Sequence, residues 1–104
     1  MTRHTAIAVP KGISPTAAKW YRRVVQEFRL RTAGELGTLT EAARSLSRIE
    51  QCQDALKADG LFVPGARGTV AHPALRAEQQ NRALFLQACR QLGISQPLEG
   101  SPND

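Results

Sequence analysis

Apolar side chains recur at helical spacing in the first third of the chain. After Ser14 and Pro15, the apolar positions fall every three or four residues, at Ala17, Trp20, Val24 and Phe28. A serine side chain accepts an unpaired backbone N–H at a helix start, and a proline at the first helical position has no N–H to leave unpaired. The pattern predicts a first amphipathic helix that begins at Ser14-Pro15.

A second helical pattern follows, with apolar positions in alternating steps of three and four residues, at Leu39, Ala42, Leu46, Ile49 and Leu56. Such spacing is typical of packing against another helix, and Gln53 falls on the same seam. Thr38 and Glu41 fit a capping box, in which each side chain bonds the other's backbone N–H. We expect this helix to run from Thr38 to about Ala58, with Asp59-Gly60 as its stop.

The third pattern opens at His72-Pro73 and continues to Leu92, with Gly93 as a stop. It contains three consecutive large apolar residues, Leu84, Phe85 and Leu86, which cover about 200° of a helix surface. One packing face is narrower than that. We therefore expect part of this surface to pack on the first helix or on another subunit.

Between the second and third helical patterns lies a stretch that favours strands. Leu61-Phe62-Val63 and Thr69-Val70-Ala71 flank the turn-rich segment Pro64 to Gly68. The sequence predicts a hairpin over residues 61–71 that folds the two long helices antiparallel. We expect Leu61, Phe62 and Val63 to lie close to the core and the tip to be exposed. An isolated two-stranded ribbon is marginal, so we expect the hairpin to serve assembly first.

These elements together predict a mainly α fold. Two long antiparallel helices are joined by a short β-hairpin, preceded by the amphipathic helix, in a chain that forms an oligomer. The expected organisation is a flexible basic arm (1–13), a helical domain for oligomerisation and DNA binding (14–94) and a disordered tail (95–104). The oligomer interface is predicted at Leu61, Phe62, Val63, Val70, Leu84, Phe85 and Leu86.

Charge is unevenly distributed along the 104 residues. The first 31 residues carry seven basic side chains and one acidic side chain, whereas the remaining 73 carry seven basic and eight acidic ones. Lys19, Arg22 and Arg29 fall together opposite the aromatic side of the first helix, with Arg23 beside them. This asymmetry favours a polyanionic partner such as nucleic acid, although a basic face can also serve only solubility. The candidate DNA-binding residues are Arg3, Lys11, Lys19, Arg22, Arg23, Arg29, Arg31 and Arg67.

Residues that could form a catalytic or metal site are scarce. His4 and His72 are scattered, and the lone cysteines Cys52 and Cys89 show no metal-ligand or disulfide spacing. His72 suits a turn or capping role, and the glycines around the hairpin tip lack the Lys-Ser/Thr of a phosphate-binding loop. No run reaches the length of a membrane span, and the N-terminus lacks a signal-peptide core. We expect a cytosolic, non-catalytic protein without cofactor or metal.

The order of these pieces resembles the terminase small subunits of tailed bacteriophages, in their compact helix–hairpin–helix group. The resemblance covers roughly residues 14–95 and rests on short motifs in a fixed order. These are Trp20-Tyr21-Arg22-Arg23-Val24-Val25, Asp59-Gly60-Leu61-Phe62-Val63, Gly68, His72-Pro73-Ala74-Leu75 and Leu92-Gly93-Ile94.

This resemblance implies a role in genome packaging in the host bacterial cytoplasm. Small terminase subunits form rings, bind double-stranded viral DNA and present it to the large subunit, which carries the ATPase and nuclease. Many also have a separate N-terminal helix-turn-helix domain, for which this chain has no room. DNA contact would fall to the arm and first helix, or to a surface formed in the ring. Two other functions stay open, a helical adaptor that binds protein through Leu84–Leu86 and a dimeric transcriptional regulator.

Overall fold

The computed structural model of the protein describes residues 7–95. It contains α1 (Pro15–Phe28), α2 (Ala33–Asp59), β1 (Phe62–Gly65), β2 (Gly68–Ala71) and α3 (Pro73–Gln91), in that order. The prediction of a mainly helical fold with an antiparallel hairpin between the second and third helices is confirmed. Arg3, the first part of the predicted arm and residues 96–104 of the predicted tail lie outside the described residues.

The start of α1 is as predicted. Ser14 Oγ accepts the backbone N–H of Ala17 at 3.1 Å, and Pro15 occupies the first helical position. The segment before α1 differs from the expectation, because Ile7, Val9 and Ile13 are partly buried against the core. Residues 7–13 therefore belong to the packed domain and do not form a separate arm.

The start of α2 corrects the predicted capping box. Thr32 is the N-cap, and its Oγ1 accepts the backbone N–H of Glu35 at 3.1 Å while Glu35 Oε1 accepts the N–H of Thr32 at 3.1 Å. Thr38 lies inside the helix, and Glu41 pairs with Arg44 at 3.3 Å. The chain carries Thr-x-x-Glu twice, and a helix that begins at the earlier copy also packs Leu36 against the core.

The helices α2 and α3 are antiparallel. Asp59 Oδ2 and His72 Nε2 are 3.0 Å apart at the hairpin end, and Gln53 donates to Glu78 at 3.2 Å further along. At the other end, Thr38 and Gln91 line one groove. The polar Gln53 on the predicted seam is exposed, so it lies at the edge of the packed interface.

The core occupies one half of the molecule, where all three helices meet. Its larger apolar members are Trp20, Tyr21, Val24, Leu30, Leu39, Leu46, Ile49, Phe85 and Ile94. Beyond Ile49, no residue of α2 is buried. Residues 50–59 and 73–81 thus extend from the three-helix half as a two-helix stalk, and the hairpin lies at its end.

The hairpin is antiparallel, with Phe62 opposite Ala71, Val63 opposite Val70 and Pro64 opposite Thr69. The segment from Pro64 to Gly68 is exposed, as predicted. The expectation that the first strand lies near the core is wrong. Leu61 is 54% exposed and Phe62 64% exposed, while Val63 is half-buried. The reason is that the stalk ends at Asp59 and His72 and offers the hairpin no further helical surface.

Among residues 7–95, no helix combines the length and the apolar composition that crossing a membrane requires.

Candidate nucleic-acid interface and assembly surfaces

The first helix separates an apolar side from a cationic side. Trp20, Tyr21 and Val24 are buried, so the opposite side of α1 faces solvent and exposes Lys19 and Arg22. Within residues 7–95, neither of these two cations has an ion-pair partner. This agrees with the face predicted from the sequence and leaves its positive charge available to an external anion.

Arg23 lies beside this face but is engaged within α1. Its Nε is 2.8 Å from Glu27 Oε2, and both side chains are about half exposed. Exposed pairs of this kind contribute little to stability and exchange partners readily. A phosphate could therefore compete for Arg23, at the cost of separating it from Glu27.

Arg29 and Arg31 follow the end of α1. The helix ends at Phe28, and Arg29 adopts a left-handed conformation (φ 52°) as its C-cap, donating its N–H to Val25. The sequence pattern predicts Arg29 on the outer face of α1. In the structure it does not lie there, because the left-handed residue turns the chain. Both arginines are exposed, and they continue the positive surface into the connection to α2.

The carboxylate of Glu35 holds this connection in place. It accepts the backbone N–H groups of Arg31 at 3.0 Å and Thr32 at 3.1 Å, and these bonds lower the pKa of Glu35 from its ordinary value. Both bonds favour the ionised form because a carboxylate accepts N–H donors more strongly than a carboxylic acid does. The backbone leading from Arg31 into α2 is thereby fixed.

A polar pocket of about 210 Å³ lies between the segment before α1 and the exposed side of α2. Its lining residues are Gly12, Arg44, Ser47, Arg48 and Gln51. The backbone N–H of Ser14 donates to Ser47 Oγ at 3.0 Å, which fixes this segment against the middle of α2. Arg48 has no ion-pair partner among residues 7–95, and Lys11 is exposed next to Gly12 in the chain.

Arg44 and Arg48 are not among the candidates predicted from the sequence, since their spacing is typical of an ordinary solvent-exposed helix face. A weak signal was present. Like charges four residues apart on a helix repel each other, so Arg44 and Arg48 form a pair that a helix alone would disfavour. The sequence does not predict that Gly12 lies close to these two arginines, because this depends on the packing of residues 7–13.

Arg67 is separate from these basic groups. It is exposed at the hairpin tip, beyond the end of α2, whereas α1 begins beside Ser47. The twelve residues from Ser47 to Asp59 alone correspond to about 18 Å of helix. The structure therefore brings together the basic residues around α1 and leaves Arg67 at the far end of the stalk.

The predicted assembly residues comprise two exposed groups and two residues that are not exposed. Leu61, Phe62 and Val70 are exposed on the hairpin, and Leu84 and Leu86 are exposed on α3. Val63 is half-buried. Phe85 corrects the prediction, because it is fully buried against Trp20 inside the same chain, with ring centroids 5.1 Å apart. Its ring is therefore unavailable to another subunit.

Leu84 borders a groove of about 280 Å³ between α2 and α3. The groove is lined by Thr38, Glu41, Ser45, Arg48, Leu84, Gln87, Ala88 and Gln91. Its floor is apolar at Ala88, and its rim carries one acidic and one basic side chain. Such a surface suits a protein partner or another subunit better than a phosphate.

His72 has a structural role. Its Nδ1 accepts the backbone N–H of Ala74 at 2.9 Å, and its Nε2 contacts Asp59, so it caps α3 and closes the end of the stalk. Within the described part of the chain, no group of three or more His, Cys, Asp or Glu residues could hold a metal ion. The residues of the sites described above are suited to binding.

Comparison with protein-family models, with curated proteins and with solved structures gives no match to this chain.

Proposed function

We propose that the protein is the small subunit of a phage-type terminase, which binds double-stranded viral DNA and, with the large ATPase and nuclease subunit, initiates packaging. The observation that carries the DNA-binding part is the cationic side of α1, whose opposite side is fixed in the core. Lys19 and Arg22 are exposed there without an ion pair among residues 7–95. The packaging role itself rests on the resemblance in the order of the sequence motifs.

The dimensions of the basic surface support a phosphate-binding role. Lys19 and Arg29 are ten residues apart, which corresponds to about 15 Å along a helix. One DNA strand presents a phosphate about every 3.4 Å along the duplex axis, so this length faces roughly four phosphates. Arginine suits this contact because its guanidinium group can bind two phosphate oxygens at once.

In this proposal the pocket beside Gly12 extends the basic surface onto α2. Arg44 and Arg48 line it, and Lys11 is next to it in the chain. In this proposal the three cations contact the DNA backbone without reading its sequence, since phosphate contacts position a protein and base contacts specify the site. The exposed leucines and the hairpin supply the surfaces through which the subunits assemble.

The test compares the affinities of matched double variants for a labelled random-sequence duplex at low salt. The affinities are measured by fluorescence anisotropy. Lys19→Ala with Arg22→Ala removes two cations from α1. Arg76→Ala with Arg90→Ala removes the same charge from exposed positions on α3 and serves as the control. We expect about tenfold weaker binding for the α1 pair and less than a twofold change for the α3 pair.

Equal losses in the two pairs would mean that only net charge matters, and the α1 surface would not be the site. Absence of binding by the native protein at low salt would overturn the DNA-binding proposal as a whole. For the packaging role, the protein should raise the DNA-dependent ATPase rate of a cognate large terminase subunit, and no change in that rate would contradict it.

A second candidate function is favoured by one specific observation. Leu84 lines the groove between α2 and α3, and both Leu84 and Leu86 are about half exposed on α3. Surfaces of this kind bind protein helices, so the protein could act as an adaptor whose basic face serves solubility. The anisotropy experiment separates the two functions. An adaptor would bind its protein partner without Lys19 or Arg22, so its DNA affinity would not depend specifically on these two residues.

A further inference from the structure

The two edges of the hairpin differ in what they offer to another strand. His72 N–H donates to the carbonyl of Leu61 at 2.8 Å, and the register pairs these two residues next to Phe62 and Ala71. Hydrogen-bonded and non-hydrogen-bonded pairs alternate along an antiparallel ladder. The backbone groups of the non-hydrogen-bonded pairs therefore point away from the hairpin.

On β1, these outward groups belong to Phe62 and Pro64, and on β2 to Thr69 and Ala71. Pro64 has no N–H, so the outer edge of β1 lacks one donor. The outer edge of β2 keeps both donors and both acceptors. Neither strand carries a charged side chain, and β2 has no proline, so the four-residue β2 lacks the charges and prolines with which proteins often protect a free edge.

From this geometry we propose that β2 pairs with β2 of a second copy of the chain, antiparallel, about a two-fold axis at Val70. In this register Thr69 of each chain lies opposite Ala71 of the other. Their outward N–H and C=O groups form four hydrogen bonds, which satisfies every outward backbone group of the two β2 strands. The two Val70 side chains meet across the axis, where non-hydrogen-bonded partners lie closest.

The charges around the hairpin are complementary in this arrangement. Gly68 of one chain lies opposite His72 of the other. Arg67, which precedes Gly68, therefore lies near His72 of the second chain. The carboxylate of Asp59 contacts His72 and is more than half exposed. Each Arg67 is thus brought toward an Asp59 of the second copy, while the two Arg67 side chains stay at opposite ends of the sheet.

Head-to-tail pairing of the hairpins is less favourable because Pro64 on β1 has no N–H. It would place β1 of one chain against β2 of the next, and the missing N–H of Pro64 would leave one acceptor on β2 without a partner. Two-fold pairing instead produces a four-stranded sheet in the order β1-β2-β2-β1, a size at which a sheet is stable.

This inference deepens the assembly part of the proposed function and does not depend on its DNA-binding part. A closed two-fold contact gives an even number of subunits. If rings form as well, they must close through a second surface, such as the exposed Leu84 and Leu86, and two rings would then join through their hairpins.

Cysteine cross-linking tests the register directly. Non-hydrogen-bonded partners have Cα atoms about 4.5 Å apart, within the range that a disulfide bridges. In a Cys52→Ser background, Val70→Cys should form a disulfide-linked dimer under mild oxidation in most of the protein. Thr69→Cys is the matched control, since the two positions 69 would be offset by two residues and about 8 Å apart.

Equal cross-linking at positions 69 and 70, or no cross-linking at position 70, would overturn the proposal. A second variant tests the hydrogen bonds without a cysteine. Thr69→Pro removes an outward N–H that the hairpin itself does not use. It should at least halve the oligomer mass in native mass spectrometry with unchanged helicity, whereas Phe62→Pro, its counterpart on β1, should preserve the paired state.

An oligomer mass that is unchanged by Thr69→Pro, or an odd number of subunits, would contradict two-fold pairing. Neither measurement uses DNA. Failure of the β2 contact would therefore leave the DNA-binding proposal standing, and loss of DNA binding alone would leave the β2 contact standing.

Discussion

The indole ring of Trp20 packs against the ring of Phe85, with centroids 5.1 Å apart and planes inclined by 52°. Trp20 belongs to α1 and Phe85 to α3, so this contact joins the first and last helices within the core. It fixes which side of α1 is buried and hence which side exposes the cations. It also orients α3, because burying Phe85 leaves Leu84 and Leu86 exposed on either side.

Truncating Phe85 should therefore destabilise the whole three-helix half. Phe85→Ala should lower the free energy of unfolding by about 3–5 kcal/mol, since it leaves a cavity beside Trp20 in a small core. Urea denaturation followed by circular dichroism measures this. Leu86→Ala, at a position that is 44% exposed, is the control and should cost about 1 kcal/mol or less. Similar losses in the two variants would contradict the assignment of Phe85 to the core.

The same contact shows what sequence reasoning could reach. Helical spacing and the Ser14-Pro15 start were enough to predict α1 and its buried aromatic side. In contrast, the run Leu84-Phe85-Leu86 contains three apolar side chains that periodicity treats alike. Which of them enters the core depends on where Trp20 lies, and that depends on the path between α1 and α2.

The capping of α2 can be tested by comparing its two candidate N-caps. Thr32→Ala should cost about 1 kcal/mol of stability, because it leaves the N–H of Glu35 without its side-chain acceptor. Thr38→Ala should change stability by no more than about 0.5 kcal/mol, since Thr38 lies within the helix. Urea midpoints for the two variants provide the measurement. A larger loss for Thr38→Ala would restore the start predicted from the sequence.

Glu35 should make stability depend on pH at the start of α2. Hydrogen bonds from Arg31 and Thr32 lower its pKa below the ordinary value of 4.5 in the folded state. Its contribution is therefore present above pH 4.5 and is lost as the pH falls through the folded pKa. The difference in melting temperature between the native protein and Glu35→Gln should shrink on acidification. A difference that is constant with pH would contradict this role.

The two cysteines should differ in reactivity. Cys89 is buried, and desolvation raises the pKa of its thiol to about 11, whereas Cys52 is half-buried in the stalk. Because the thiolate is the reactive form, Cys52 should react first with a disulfide reagent such as DTNB. Cys89 should react only on unfolding. Equal rates in the folded protein would show that α3 opens readily around Cys89.

The candidate sites were predictable to different degrees for a physical reason. Lys19 and Arg22 lie on one helix, where spacing alone determines which residues share a face. The pocket between Gly12 and Arg48 combines residues far apart in the sequence, so it depends on packing that no local pattern encodes. The unequal edges of the hairpin lie between these cases, because they follow from Pro64 once the register is known.

The measurement that tests the central claim most directly is the salt dependence of binding to a random-sequence DNA duplex. If the cationic side of α1 and its extension contact the backbone, log affinity should fall linearly with log salt concentration. The slope should be about 0.9 per phosphate contacted, or about 3 to 4 for four contacts per subunit. An affinity that hardly changes between low and moderate salt would contradict the proposed site.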